Sequence, residues 1–236
     1  MSIYVTGDTH GYLAQILQIE QYAGAELKEG DYLLICGDFG FVFLCDEFEK
    51  KALFELSCRP YTILFVDGNH ENFPALFRYP ERTWNGGRIH RIRDNIFHLM
   101  RGQVFTIEGK TFFTFGGAAS IDKKERTPGL SWWKEEIPGE EEYREAVKNL
   151  KQHHMRVDYI VTHTMPDHLI QAYLKGRTPA LLPDRDLTAF LETIWRGVSF
   201  SHWYCGHWHD DTDELDPRFS MLWYDVKKIP EDTDLE

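Results

Sequence analysis

Five short apolar and aromatic runs recur along this chain, and polar residues follow each run directly. The runs cover 3–5, 32–35, 63–66, 159–161 and 203–205. Short apolar runs of this kind are typical of buried strands. Because the carboxyl ends of parallel strands meet at one edge of an α/β sheet, the polar residues behind the runs are predicted to converge there.

Helical periodicity separates the first three runs. Apolar residues recur every three or four positions from Leu13 to Tyr22 and again from Phe48 to Leu56, which predicts a helix in each segment. Strands that alternate with helices indicate βαβ units and a parallel sheet.

The middle of the chain has a different pattern. Three predicted strands follow one another at 96–100, 104–107 and 111–115, and Glu108-Gly109-Lys110 forms a turn between the last two. A strand, a short turn and a second strand make an antiparallel hairpin. We therefore predict an α/β fold with a second sheet packed on the first: a four-layer αββα sandwich of two mixed β-sheets flanked by helices.

Two more helices are expected in the second half of the chain. One is marked by the apolar spacing of 143–150 and has Glu residues at 140–142 in its first turn, where negative charge interacts favourably with the helix dipole. The other covers 187–195, with Asp184 as a plausible N-terminal cap.

Length and composition predict one domain. The chain has 236 residues, 14% of them aromatic, and no Pro-, Gly- or Ser-rich linker divides it. We expect a single domain over 1–228, followed by an acidic and flexible tail at 229–236.

Charge and targeting patterns narrow the choice of partners. The formal net charge of −12 argues against broad nucleic-acid binding, since that affinity comes from Lys and Arg that neutralise phosphates. Small anionic substrates remain compatible with this net charge, because cations bound in a cleft would reverse the local field there. Without room for a signal peptide or any 18-residue apolar span, the chain is expected to be cytoplasmic, with no membrane partner. Its oligomeric state stays open.

The spacing of the four cysteines indicates no metal-binding, disulfide or catalytic role. They show no Cys-x-x-Cys spacing, and Cys36 and Cys205 lie inside predicted core strands. We expect reduced thiols that behave as small apolar side chains.

The polar motifs behind the five runs carry the candidate chemistry. They contain two Asp, one Asn and several His, a mixed oxygen and nitrogen set that suits borderline divalent cations such as Mn, Fe or Zn. Two such cations about 3.5–4 Å apart clamp the attacking and leaving oxygens of a phosphoryl group. One motif alone is weak, whereas five in order are specific. The motifs are Asp8-Thr9-His10, Gly37-Asp38, Gly68-Asn69-His70-Glu71, Thr162-His163 and Gly206-His207-Trp208-His209.

The order of these motifs resembles the signature of the calcineurin-like metallophosphoesterases, over residues 8 to 209. The resemblance implies the same sandwich and two divalent metal ions, of which Mn is favoured. It implies that Asp38 bridges the two ions. The ligands of one ion would be Asp8, His10, Asp38 and His209, and those of the other Asp38, Asn69, His163 and His207.

The same resemblance implies a metal-dependent phosphoesterase. A metal-bridging hydroxide would attack phosphorus, while His70 faces the phosphate and assists the leaving group. The segment 39–43 lacks the Asp and Arg that the protein-phosphatase branch carries after its bridging Asp, so a nucleotide-like phosphodiester is favoured as substrate. The alternatives are a phosphomonoesterase or protein phosphatase, and a non-enzymatic binding scaffold. Glu71 and Asp67 are candidate partners of His70.

One segment, 119–138, fits neither a helix nor a strand. It is either a structural loop pinned by its two Trp residues or a cap over the metals. As a cap, it would bring Arg126 to the phosphate and offer the ring of Trp132 or Trp133 to a base.

The remaining candidates are expected to be structural. Arg101 is predicted to be solvated in a turn, with a phosphate contact as the alternative, and Trp208 to orient the two His residues beside it. The His residues outside the motifs are interpreted as structural or surface groups: His90, His98, His153, His154, His168 and His202.

Overall fold

The computed structural model describes residues 1–22, 27–175 and 184–231. Within this part, twelve strands, six α-helices and one short 3₁₀-helix, Lys134–Glu136, form. The strands are β1 Ile3–Thr6, β2 Tyr32–Ile35, β3 Thr62–Phe65, β4 Glu81–Trp84, β5 Gly87–Arg93, β6 Ile96–Leu99, β7 Gln103–Ile107, β8 Lys110–Phe115, β9 Tyr159–Thr162, β10 His202–Cys205, β11 Phe219–Met221 and β12 Val226–Lys228. The helices are α1 Leu13–Tyr22, α2 Glu47–Ser57, α3 Phe73–Leu76, α4 Glu140–Gln152, α5 Asp167–Tyr173 and α6 Arg185–Gly197.

The first sheet has seven strands in the order β12-β1-β2-β3-β6-β5-β4. Its centre is parallel, from β1 through β6, because helical crossovers bring each strand back in the same direction. Antiparallel neighbours close both sides. The ends of β1, β2 and β3 therefore share one edge.

The second sheet has five strands in the order β11-β10-β9-β8-β7. The strands β8 to β11 are parallel, and β7 pairs with β8 as the predicted hairpin. The ends of β9 and β10 again share one edge.

Three buried clusters separate four layers. The cluster between the sheets combines residues of both, such as Leu64 on β3 and Val161 on β9. A second cluster packs α1 and α2 on the outer face of the first sheet, where Ile16 and Leu53 are buried. A third packs α4, α5 and α6 on the second sheet. The predicted αββα sandwich is confirmed.

Several elements differ from the sequence prediction. The hairpin of β4 and β5 was not predicted, although its turn has the Asn85-Gly86 pair that suits a tight hairpin because both residues have positive φ, 47° and 94°. The short strands β11 and β12 were also missed, since three-residue strands give little periodicity. Strand β6 joins the first sheet, whereas the hairpin after it belongs to the second.

Two local predictions require correction. Asp184 precedes α6, but its side chain makes no capping hydrogen bond and instead accepts one from the backbone N–H of Ala119 at 3.3 Å. Phe48, part of the apolar pattern of α2, is 82% exposed rather than packed in the core.

Three further expectations concern the cysteines, the C-terminal tail and membrane-spanning segments. The four Cys residues are free, and Cys36 and Cys205 are buried as expected. Most of the predicted tail, 232–236, lies outside the described residues. Among the helices that the structure describes, none is long and apolar enough to cross a bilayer.

Candidate metal centre

The five polar motifs meet where the edges of the two sheets face each other. Backbone hydrogen bonds join the first two loops, since the N–H groups of Thr9 and His10 donate to the carbonyl of Asp38 at 3.2 and 2.7 Å. The loops behind β9 and β10 are joined by the bond from Gly206 N–H to the carbonyl of His163 at 2.9 Å. The convergence expected for strands of one sheet therefore extends across both sheets.

One group of donor atoms combines Asp8, His10 and His209. The two Nε2 atoms of the His residues lie 2.8 Å apart, and an oxygen of Asp8 lies 3.2 Å from His209 Nε2 and 3.7 Å from His10 Nε2. Trp223 stacks on the ring of His209 with centroids 5.2 Å apart. Three donors thus point to one small volume.

Asp38 lies at the middle of the site. It forms one donor group with His10 and His70, and another with Asp8 and His163. Its Oδ1 accepts the backbone N–H of His70 at 2.7 Å and lies 3.4 Å from His163 Nε2, while its Oδ2 lies 3.8 Å from His10 Nδ1. A carboxylate shared between donor groups in this way has the geometry that a bridging ligand needs.

Asn69 and His207 adjoin this cluster. Asn69 Oδ1 lies 3.3 Å from His163 Nε2, and the ring of His207 lies 4.9 Å from that of His163. His207 is not part of a close group of three donors, and its backbone N–H donates to Asp8 Oδ1 at 2.9 Å. The structure thus brings all seven predicted ligands together, with His207 at the margin.

The charges of the site are strongly coupled. Burial alone raises the pKa of Asp38, but His163, His70 and His10 outweigh it and hold that pKa below its usual range. Burial lowers the pKa of His163, yet Asp38 and Asp8 overcome it and raise the value to about 10. Burial, with His163 nearby, lowers the pKa of His207 to about 3. The buried carboxylates of Asp38 and Asp8 therefore favour the protonated, positively charged form of His163.

Backbone strain also concentrates here. His10, Asp38, His207 and His209 all have positive φ, between 45° and 71°. Such conformations cost of order 1–3 kcal/mol each for residues with a side chain and persist where the surroundings enforce them. His and Asp tolerate them better than branched residues do.

Glycines allow the ligand side chains to approach the neighbouring loops. A Cβ on Gly68 would lie 2.0 Å from Asp38 Oδ1, and a Cβ on Gly206 would lie 2.1 Å from Asp8 Oδ1. No side chain fits at either position without displacement of a carboxylate. The glycines of these motifs are therefore explained by close approach.

Replacement of Gly68 by Ala should misplace Asp38. We expect kcat/KM of the hydrolysis proposed below to fall by roughly 10²-fold, a loss that a displacement of about 1 Å in an active site can cause. Gly197→Ala is the matched control, because nothing lies within 4 Å of a Cβ at that position. Equal rates for the two variants would contradict the role of the close approach.

His70 has an unexpected partner. Nη2 of Arg126 lies 2.9 Å from His70 Nε2, and since a guanidinium only donates, that nitrogen accepts. Neither sequence candidate meets His70: Glu71 accepts the backbone N–H of Phe39 at 2.8 Å, and Asp67 binds Arg101 and His98. Burial lowers the pKa of His70, Asp38 opposes this effect, and Arg126 lowers the pKa further.

The segment 119–138 lies beside this contact. Arg126 is held by Asp122 at 2.7 Å and by the carbonyl of Ser131 at 3.2 Å. Trp133 is buried and meets Phe43 edge to face at 5.7 Å, whereas Trp132 is half-buried beneath the ammonium group of Lys123. Substrate contact by Arg126, Trp132 and Trp133 remains a prediction.

Sequence reasoning missed two supporting networks. Asn69 Nδ2 lies 3.3 Å from Ser120 Oγ, whose hydroxyl donates to buried Glu136 at 2.7 Å, which fixes the side-chain amide of Asn69. Arg101 is buried on Asp67 at 2.8 Å rather than solvated, so that prediction was wrong. No local pattern reveals either network, because the partners are 16 to 51 residues apart.

A cleft of about 1100 Å³ opens from the site. His10, His70 and His209 form its inner end. Its rim contains exposed Tyr12, Leu44, Phe48 and Tyr224, so the wall is mainly aromatic and apolar.

The stacked sheets and the cluster of Asp and His side chains define a class, the αββα sandwiches with a candidate metal centre between the edges of the two sheets. The family comparison is more specific. The model of the family described as calcineurin-like phosphoesterase matches residues 1–211, and the chain belongs to that family. Members of this family bind a dinuclear metal centre, and this chain has the Asp and His groups that could hold one.

Comparison with individual proteins adds support for the fold alone. No curated protein sequence matches the chain. A solved structure of a candidate 5'-nucleotidase from Staphylococcus aureus, in complex with alpha-ketoglutarate, is similar with a TM-score of 0.50 and 15% sequence identity. The similarity covers 96% of this chain and 50% of that one, so the chain spans half the length of this relative.

Proposed function

We propose that this protein hydrolyses phosphate esters with two divalent metal ions. The observation that carries the proposal is the shared position of Asp38, which belongs to two donor groups at once. One ion would be held by Asp8, His10, Asp38 and His209, and the other by Asp38, Asn69, His163 and His207.

The residues present fit such a centre. Asp8 and Asp38 are fully buried, and their ion-pair partners in the described part of the chain are His residues only, without Lys or Arg. Buried carboxylates require compensating charge. The mixture of carboxylate, amide and imidazole donors suits Mn, Fe or Zn, and we favour Mn.

The metal ions would supply Lewis-acid polarisation of the phosphoryl group and a nucleophile that is available at neutral pH. The chain's own residues set the geometry. The N–H of His70 fixes the orientation of Asp38, and the neutral amide of Asn69 adds no charge that would repel an anionic substrate. His70 would assist the departure of the leaving alcohol.

Arg126 links substrate binding to the state of His70. While Arg126 donates to Nε2 of His70, that nitrogen carries no proton to give. A phosphate oxygen is a stronger acceptor for guanidinium than a neutral imidazole. An arriving phosphate would therefore take Arg126 and release His70 Nε2 for proton transfer.

We favour a phosphodiester as the substrate. Arg126 is the cation that contacts His70 in the described structure, and Asp122 already neutralises part of its charge. A diester has one negative charge at its phosphate, whereas a monoester has nearly two, so the diester needs less compensation. A small nucleotide-like diester agrees with the open cleft and the acidic chain.

The decisive experiment compares bis-p-nitrophenyl phosphate with p-nitrophenyl phosphate on the same Mn-loaded protein. We expect hydrolysis of both, a higher kcat/KM for the diester, and two metal equivalents per chain by elemental analysis. Removal of the metals by a chelator should abolish activity, and Mn should restore it. Faster monoester turnover would identify a phosphatase, and at most one equivalent would refute the dinuclear centre.

A further inference from the structure

The cleft beside the site differs in chemistry from the metal centre. Its large exposed apolar side chains are three rings and one aliphatic chain, from Tyr12, Phe48, Tyr224 and Leu44, and Gln18 and His209 are exposed beside them. Phe48 is 82% exposed and Tyr12 68%. Exposed apolar groups collected around one concave surface are characteristic of ligand sites.

The cleft offers no Lys or Arg side chain to a second anion, since neither type lines it among the described residues. Its two carboxylates, Asp46 and Glu49, accept backbone N–H groups. Asp46 accepts the N–H groups of Phe48 and Glu49, both at 2.9 Å. Glu49 in turn accepts those of 43, 44 and 45. A second phosphate or a polyanionic chain would therefore find no partner there.

Hydrogen bonds hold the backbone on two sides of the cleft. Glu49 fixes the backbone around Leu44, as its three hydrogen bonds show. On the other rim, Asp211 accepts the N–H groups of Trp223, Tyr224 and Asp225 at 2.7 to 3.2 Å. The rings of Trp223 and Tyr224 also contact each other, with centroids 4.3 Å apart and planes tilted by 32°. Backbone segments and a Tyr224 ring that are fixed before binding lose little entropy when a ligand binds against them.

We propose that this cleft is a subsite for a flat, uncharged aromatic group of the substrate, with the chemistry of a nucleobase, and that Phe48 and Tyr224 provide its stacking surfaces. His10, His70 and His209 line the same cleft as Phe48 and Tyr224, so a group attached to a phosphate at the metal centre would enter this cleft. This inference rests on the proposed phosphoesterase function and adds the identity of one esterified alcohol. The ring stacks on aromatic faces while its phosphate stays at the metal centre.

Two ligands that differ only in the base test this subsite. Adenosine 5'-monophosphate and ribose 5-phosphate share the sugar phosphate, and each is measured as a competitive inhibitor of bis-p-nitrophenyl phosphate hydrolysis by the Mn-loaded protein, from initial rates. We expect the nucleotide to bind at least tenfold more tightly. In Phe48→Ala and in Tyr224→Ala this preference should fall by roughly 5- to 100-fold or to unity, as expected for loss of a stacking partner.

Phe54→Ala is the matched control. Phe54 is an exposed Phe of the same helix, 68% exposed, but it does not line the cleft. The control should keep the wild-type preference. Equal inhibition by the two ligands in the wild-type protein, or an unchanged preference in both cleft variants, would overturn the proposal.

The subsite can also be tested if the proposed hydrolysis is not observed. If neither p-nitrophenyl ester is hydrolysed, the two ligands are titrated into the Mn-loaded protein by calorimetry. Tighter nucleotide binding that depends on Phe48 would then support the subsite without the proposed hydrolysis. Absence of any base-dependent binding would refute the subsite.

Discussion

Asp38→Asn should release at least one of two metal equivalents and reduce kcat/KM by more than 10⁴-fold. The carboxylate takes part in two donor groups, so its neutral amide weakens both metal positions at once. Elemental analysis after reconstitution with Mn, beside bis-p-nitrophenyl phosphate kinetics, measures both effects. We expect the loss to exceed the 10²–10⁴-fold that a single general acid contributes.

The control for this substitution is Asp94→Asn. Asp94 precedes β6, at the end of the first sheet opposite the metal centre, and its side chain is 97% exposed. This variant should keep both metals and full activity. An Asp38→Asn protein that retains two equivalents would show that Asp38 does not bridge them.

His70→Ala should keep both metals and lose about 10²–10⁴-fold in kcat, with kcat/KM reduced to the same extent. The expected reason is loss of a group that assists the leaving alcohol. The metal content of the variant must be measured as well as its kcat. A ring nitrogen of His70 lies in one donor group with His10 and Asp38, so His70 has the position of a possible ligand. His153→Ala, a substitution at the end of α4, serves as control.

The two measurements separate the possible roles of His70. Loss of one metal equivalent together with activity would make His70 a ligand. Retention of both metals with unchanged kcat would remove it from the reaction. Only retained metals with reduced kcat agrees with the proposed role.

The exposure of Phe48 illustrates where local patterns mislead. Its spacing with Ala52 and Leu56 fits the apolar face of α2, and Leu56 is buried as that pattern predicts. Phe48 lies in the first turn of α2 and lines the cleft, whereas the buried residues of the helix, Leu53 and Leu56, lie further along it. Periodicity reports the direction of a side chain but not how far the opposing surface extends.

The partner of His70 could not be predicted either. Arg126 is 56 residues away, in a segment without periodicity, and it reaches His70 only because the second sheet packs on the first. The residues adjacent in sequence, Asp67 and Glu71, turn to other partners. Side-chain pairing across such distances is set by tertiary packing, which sequence neighbours do not encode.

The sequence by itself determined eight of the twelve strands, four of the six α-helices and the order of the polar motifs. It did so because an apolar run followed by polar residues records both burial and the end of a buried strand. Tertiary structure alone decided the Arg126 contact with His70, the burial of Arg101 on Asp67, the support of Asn69 through Ser120, and the aromatic cleft. Each of these depends on how two sheets and their loops face one another in space, and that arrangement is fixed by packing over the whole chain.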